Sequence, residues 1–182
     1  RRQREPRPAG RRVRALPGRP ARGPGGQGWT LPLPTIDPVI VRRSARVLDR
    51  YGPDFSYGHH ALFRRLPTVA ATTMGAAGML AVAQLPPGRD LLLRLRSVGD
   101  GPTAERRERS WYRVRFHGEG GGESVVTEVG GGDPGYTETA RMLGEATLCL
   151  AGDDLPETAG QVTTAVAMGQ ALLDRLDFAR VL

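Results

Sequence analysis

The sequence predicts an α+β fold, an antiparallel sheet with packed helices, and three observations carry that expectation. Tyr112, Val114 and Phe116 alternate with Arg113 and Arg115, which is the period of a half-buried strand. A Gly-rich loop, Gly120 to Gly122, then turns the chain back into a second apolar run, Val125 to Val129. Apolar residues at helical spacing lie on either side of this hairpin, one set beginning near Asp37 and one near Tyr136.

A chain of 182 residues suffices for one domain of ordinary size. Its formal charge of +7 is unevenly placed: residues 1–28 hold nine of the 26 arginines and, as Glu5, one of the 19 acids. That stretch is rich in Pro and Gly, has little to bury, and is expected to be a disordered arm ahead of a domain at 29–182. Without interleaved aromatics for base stacking, the arm is not read as a nucleic-acid binder. There is no lysine, which excludes Schiff-base chemistry and a P-loop lysine. Cys149 is alone and sits in an apolar helical run, so a buried structural thiol in a reducing compartment is expected.

Within the domain, Asp37 reads as an N-cap, Pro38 as the first helical residue and Ile36 as a staple onto Val41. The helix should run to about Arg50 and stop at Gly52-Pro53. The pair His59-His60 lacks a third ligand at metal spacing and is read as solvent-facing or hydrogen-bonded. Leu66 to Pro87 carries no charge and is built from Ala, Gly and Thr. With the Leu/Arg mixture after it, it is expected to be a closely packed or interfacial helix rather than a span. Ala71, Gly75 and Met79 would give it a face for close approach.

Glu119, Glu123 and Glu128 in the hairpin are expected to be solvated. So are Asp153 and Asp154 in the turn after the next helix, whose apolar stripe is read as Tyr136, Ala140, Leu143, Thr147 and Leu150. Val162 to Leu176 reads as one last helix, and Asp177 to Leu182 as a terminal strand. Gly130 to Gly135 could suggest a phosphate cradle, since it opens a helix. Asp133 and Pro134 instead read as that helix's cap, and a carboxylate there would repel a phosphate.

The stretches LPLPTIDPVIVRRSARVLDRYGPDFSYGHH, SWYRVRFHGEGGGESVVTEVGGGDPGYTETARMLGEATLCL and GQVTTAVAMGQALLDRL resemble the C-terminal half of saccharopine dehydrogenase-like oxidoreductases. The nearest branch is the trans-acting enoyl reductases, and the likeness covers about Gln27 to Leu182. It implies an α+β half that partners an N-terminal Rossmann half, NADPH in the complete enzyme, and reduction of a lipid-like acyl substrate in lipid or glycolipid synthesis. It also implies a homodimer and a cytoplasmic location with peripheral contact at the plasma membrane. No stretch is read as the Rossmann nucleotide loop, so the chain is expected to be a fragment behind an unrelated leader and to bind no cofactor alone. Tyr136 is the candidate catalytic residue; Asp133, Gly135 and Thr139 are candidates on the substrate side.

Overall fold

The computed structural model describes residues 10–16, 18–94, 101–176 and 179–181. Its contacts divide the chain into two compact units. The first comprises Arg1–Arg12, Arg43–Pro53 and Pro102–Leu182, and the second Val13–Arg42 and Asp54–Gly101.

Strands Arg12–Ala15 (β1), Ala21–Arg22 (β2) and Trp29–Pro32 (β3) open the described chain, followed by helix Asp37–Val47 (α1). Strands Asp54–Tyr57 (β4) and His60–Phe63 (β5) precede helices Leu66–Gln84 (α2) and Pro86–Arg94 (α3). In the second unit, β2, β3 and β5 form an antiparallel sheet in that order, while β1 pairs with β4. Within the stretch expected to be an arm, the described residues include β1 and β2. Arg14 forks onto both carboxylate oxygens of Asp54 at 2.8 and 2.7 Å, and the Arg22 guanidinium lies 4.3 Å from the Trp29 ring centre. Asp54, forty residues on, and Trp29, just past the arm, thus supply what the arm itself lacks; its residues 1–9 and 17 lie outside the described part.

Helix α1 starts one position earlier than expected: the Ile36 carbonyl accepts from the Ile40 N–H, so Ile36 is the cap and Asp37 the first helical residue. Ile36 itself is exposed rather than stapled. The helix ends at Val47, and a single 3-10 turn at Asp49–Tyr51 takes the chain to Gly52.

Residues 66–94 form two helices rather than one. Pro86 cannot donate to the helical ladder, so Leu85 is extended, with φ −95° and ψ 130°. The chain then folds back so closely that a Cβ on Gly88 would lie 2.3 Å from the Val82 carbonyl oxygen. Helix α2 touches β3 and β5 near its start. Only Val69 along it is buried, and nothing lies within 4 Å of where a Cβ would stand on Gly75 or Gly78. The expected close-packing face is open. By length and composition alone α2 is able to cross a membrane, with a mean hydropathy of 1.5 over its most apolar window.

The first unit holds helix Ala104–Glu108 (α4), strands Tyr112–Gly120 (β6) and Glu123–Gly131 (β7), and helix Thr137–Gly152 (α5). Helices Thr164–Ala167 (α6) and Gly169–Leu176 (α7) and strand Ala179–Val181 (β8) complete it. The expected hairpin is present: β6 pairs with β7 from Tyr112↔Gly131 to Gly120↔Glu123. Gly121 and Gly122 both take positive φ, 60° and 84°, which a two-residue turn of this kind requires. The terminal strand is present too, as β8 beside β7, so the sheet order is β6-β7-β8. The last helix is broken, because Gly169 adopts φ +53° between α6 and α7.

The buried set of this unit is small: Ser44, Ala45, Cys149, Thr163, Met168 and Leu176, with Asp133 apart from them. The Ser44 and Thr163 hydroxyls bond each other at 2.7 Å, which satisfies both groups away from water. At the other end of the helical layer, Arg175 on α7 grips Asp153, just past α5, through two bonds of 2.6 and 2.7 Å. It also reaches Glu145 at 3.4 Å. Asp153 is therefore not the solvated carboxylate expected of a loop. Arg175, and after it the Cys149 thiol, holds the Asp153 carboxyl at about 2, while burial and then the Asp153 charge push the Cys149 thiol up.

A carboxyl depressed in the fold stabilises it above its unfolded pKa of 3.8 and loses that contribution as the pH falls toward about 2. Thermal melts of the wild type should therefore decline steeply across that window. Arg175→Leu should melt roughly 5 °C lower at neutral pH and decline less between pH 4 and 2. A variant with an unchanged acid profile would show that the grip does not stabilise the fold.

Candidate functional site

The turn from β7 into α5 brings the expected site residues together as a capping structure. Asp133 is buried, and its Oδ2 accepts from the Tyr136 N–H at 2.8 Å and the Thr137 N–H at 3.1 Å. The Thr137 N–H above all, with those of Tyr136 and Gly135 and the Arg107 charge, holds the Asp133 carboxyl below the usual range; burial acts the other way. Thr139 donates through Oγ1 to the Pro134 carbonyl at 2.6 Å, a bond that closes the same turn. Gly135 needs no special backbone conformation, and a Cβ there would make an ordinary 3.8 Å contact with Asp133. Two of the four candidates, Asp133 and Thr139, therefore shape the helix start. The Tyr136 ring stands beside them, 51% exposed.

Glu138, Tyr112 and Gly131 were not among the site candidates expected from the sequence, yet they complete the turn. Glu138 reaches back from α5 so that its Oε1 accepts from the Gly132 N–H at 3.2 Å. Its side chain is 13% exposed, and Oε2 is buried without a hydrogen bond, 3.8 Å from an Arg141 nitrogen. A Cβ on Gly131 would lie 2.9 Å from the Tyr112 ring and 3.1 Å from the Glu138 carboxyl carbon, so a side chain larger than hydrogen there displaces one of these two side-chain ends. Burial, then the Glu138 charge, pushes the Tyr112 phenol up, and Arg141 opposes them. The legible signal was register: in any hairpin turning at Gly121-Gly122, Tyr112 stands opposite Gly131.

Gly130, Gly132 and Gly135 do stand at the G-x-G-x-x-G spacing between a strand and a helix, which the sequence reading passed over. The geometry explains why no dinucleotide fits. The strand is antiparallel in a hairpin, not the first strand of a βαβ unit, and none of the three glycines takes positive φ. Asp133 and Glu138 already occupy the N–H groups that would face a pyrophosphate. These residues do not fit a nicotinamide dinucleotide.

The stripe expected to pack α5 is turned outward. Tyr136, Leu143 and Leu150 are 51, 68 and 61% exposed, and Ala140 and Thr147 are exposed with them. The covered side runs through Glu138, Met142, Glu145, Ala146 and Cys149. Its acids turn inward because Gly132 and Arg175 offer them partners. Glu128, expected to be solvated, pairs with Arg113 at 3.2 Å and Arg115 at 2.9 Å. In the second unit, the His59 Nδ1 lies 3.4 Å from the Tyr57 hydroxyl, a hydrogen-bonding role of the expected kind. Among the described residues, no group of three or more His, Cys, Asp or Glu is placed to hold a metal ion.

Over 157 residues the chain is 37% identical to a protein of Mycobacterium tuberculosis strain H37Rv that is named as a trans-acting enoyl reductase. The likeness covers 78% of this chain and 37% of that protein, and the same figures hold for its counterpart in strain CDC 1551. A trans-acting enoyl reductase of Mycobacterium ulcerans is 36% identical over 150 residues, covering 75% of this chain and 36% of that protein. The chain thus spans little more than a third of the length of these relatives. No family model and no solved structure matches it.

Asp133→Ala should leave two helix N–H groups without their acceptor and lower the melting temperature by about 3–5 °C. Gly135→Ala should be neutral, and Gly131→Ala should cost more than Gly135→Ala, since its Cβ displaces the Tyr112 ring or the Glu138 carboxyl. Melting curves of the three variants test this ranking; equal losses at Gly131 and Gly135 would contradict the geometry.

Proposed function

We propose that the chain is the substrate-binding and dimerisation part of an enoyl reductase-like oxidoreductase. In its complete form such an enzyme uses NADPH to reduce a lipid-like acyl substrate in lipid or glycolipid synthesis. The observation that carries this reading is the 36–37% identity, over three quarters of the chain, to proteins named as trans-acting enoyl reductases. Geometry supports it at α5. A helix with its acids inward and its leucines outward suits a unit whose apolar partner surface lies elsewhere, here the Rossmann half. Tyr136, at the head of that stripe, is then placed at the junction, where a phenol can donate to a substrate carbonyl; Asp133 and Thr139 hold its turn, and with Gly135 they lie on the substrate side in this reading.

The cofactor belongs to the partner half in this reading. Calorimetric titration of the purified chain with NADPH should show no binding, and micromolar affinity would overturn the division of roles. Activity is tested by joining the chain to the part of the M. tuberculosis relative beyond the aligned stretch and following NADPH oxidation with an unsaturated acyl thioester. Leu143→Asp and Leu150→Asp should abolish turnover by blocking the junction while leaving the melting temperature of the chain alone unchanged. Tyr136→Phe should lower turnover on the order of a hundredfold if the hydroxyl polarises the carbonyl. Full turnover would reduce Tyr136 to a structural role.

A second reading, a non-enzymatic module at a lipid surface, rests on α2. At 1.5 Å per residue its 19 residues extend about 28 Å, close to the thickness of a bilayer core. Arg64 and Arg65 precede it, Arg89 and Arg94 follow, and almost none of it is covered. Both readings place the chain in the cytoplasm at the inner face of the plasma membrane. Flotation with liposomes should recover the chain, and a carbonate wash should release it if α2 lies in the interface. Retention after carbonate would favour a span instead.

A further inference from the structure

The outward side of the β6–β7 hairpin carries a row of side chains that the enoyl reductase-like reading does not use. Trp111, just ahead of β6, and Arg113, Arg115 and His117 within it occupy alternate positions and so share one side of the strand. At about 6.8 Å per alternate step the row is roughly 20 Å long. Trp111 is 71% exposed, and the Arg113 guanidinium lies 5.8 Å from its ring centre. From β7, Glu128 binds both arginines, one carboxylate oxygen to each, and so fixes the direction of both guanidinium groups while leaving them open to solvent.

We propose that this face docks an acidic surface of a second protein, with Trp111 seating an apolar side chain and Arg113 and Arg115 meeting carboxylates beside it. The inference is independent of the enoyl reductase-like reading. An exposed tryptophan flanked by oriented arginines has the composition of an interface anchor, and a guanidinium fork matches a carboxylate in shape as well as charge. The alternate-residue spacing of the two arginines matches side chains on one face of an extended peptide. Glu128 at the centre of the row and Glu119 at its far end argue against a uniform polyanion. Lipid headgroups or a nucleic-acid backbone need cations unopposed over the whole contact.

The test uses the full chain and a fluorescein-labelled 12-residue peptide repeating Leu-Ser-Glu-Ser-Glu-Ser, which puts a leucine and two glutamates on one side of an extended strand, followed by anisotropy. Phosphatidylglycerol vesicles and duplex DNA serve as the competing anions. Saturable binding is expected that weakens with added salt, falls at least about tenfold in Trp111→Ala, and is lost in Arg113→Glu. Both residues are exposed, so circular dichroism should be unchanged in the two variants; Arg113→Gln, expected to be intermediate, covers a failure of the charge reversal to fold. No saturable binding, or binding that Trp111→Ala leaves intact, overturns the proposal. So does equal affinity for the vesicles or the DNA with the same dependence on Trp111 and Arg113.

Discussion

Arg175 joins α7 to the end of α5 in the first unit, and the packing of these two helices rests on its two bonds to Asp153. The fork reaches from the last turn of α7 to the residue that ends α5, and the Cys149 thiol is enclosed beneath it. A unit with so few buried apolar side chains draws little from area alone, so directed polar contacts carry a larger share. Ser44 with Thr163 does the same for the end of α1, and the Asp133 cap for the start of α5. Each is a short-range arrangement of charge or hydroxyl within a thin apolar layer.

That reliance on polar contacts also explains which parts of the structure were legible in the sequence. The hairpin, the approximate start of α5 and the terminal strand followed from period-two alternation, paired glycines and the Asp133-Pro134 turn, all local signals, although the residue that caps α5 is Tyr136 rather than Asp133. Breaks at Leu85 and Gly169 carried local signals as well, Pro86-Pro87 and Gly169 itself, but the continuous apolar runs on either side outweighed them in the reading. The orientation of α5 was not legible. Apolar spacing names a stripe without saying whether the chain at hand covers it, and here two acids claim the inner side because Arg175 and the Gly132 N–H receive them. Pairing of the Arg-rich leader with Asp49 and Asp54 was hidden for a related reason: its partners lie about forty residues away. Helix α4 was passed over although Thr103, whose hydroxyl accepts from the Arg106 N–H, is an ordinary N-cap.

The candidate site was legible as a place but not as a set of roles. Asp133, Gly135, Thr139 and Tyr136 do come together, yet the first and third spend their polar groups on the backbone of the turn. Tyr112 and Glu138 enter only through strand register and the reach of a side chain across one helical turn, which composition does not reveal. The ring and the carboxyl pack against Gly131 at the strand end, which is not one of the three glycines whose spacing can suggest a nucleotide loop.

The position of β6 in its sheet has a consequence for solubility. In the order β6-β7-β8 it is the outer strand on its side, nine residues long, with one row of backbone donors and acceptors that β7 does not take. A long outer strand of that kind is a template on which another chain can add and start an aggregate. Arginines at alternate positions make such growth unfavourable, because successive copies in register would stack like charges. Replacing them with valine would keep the strand and remove that protection, turning the hairpin into the seed of a fibre.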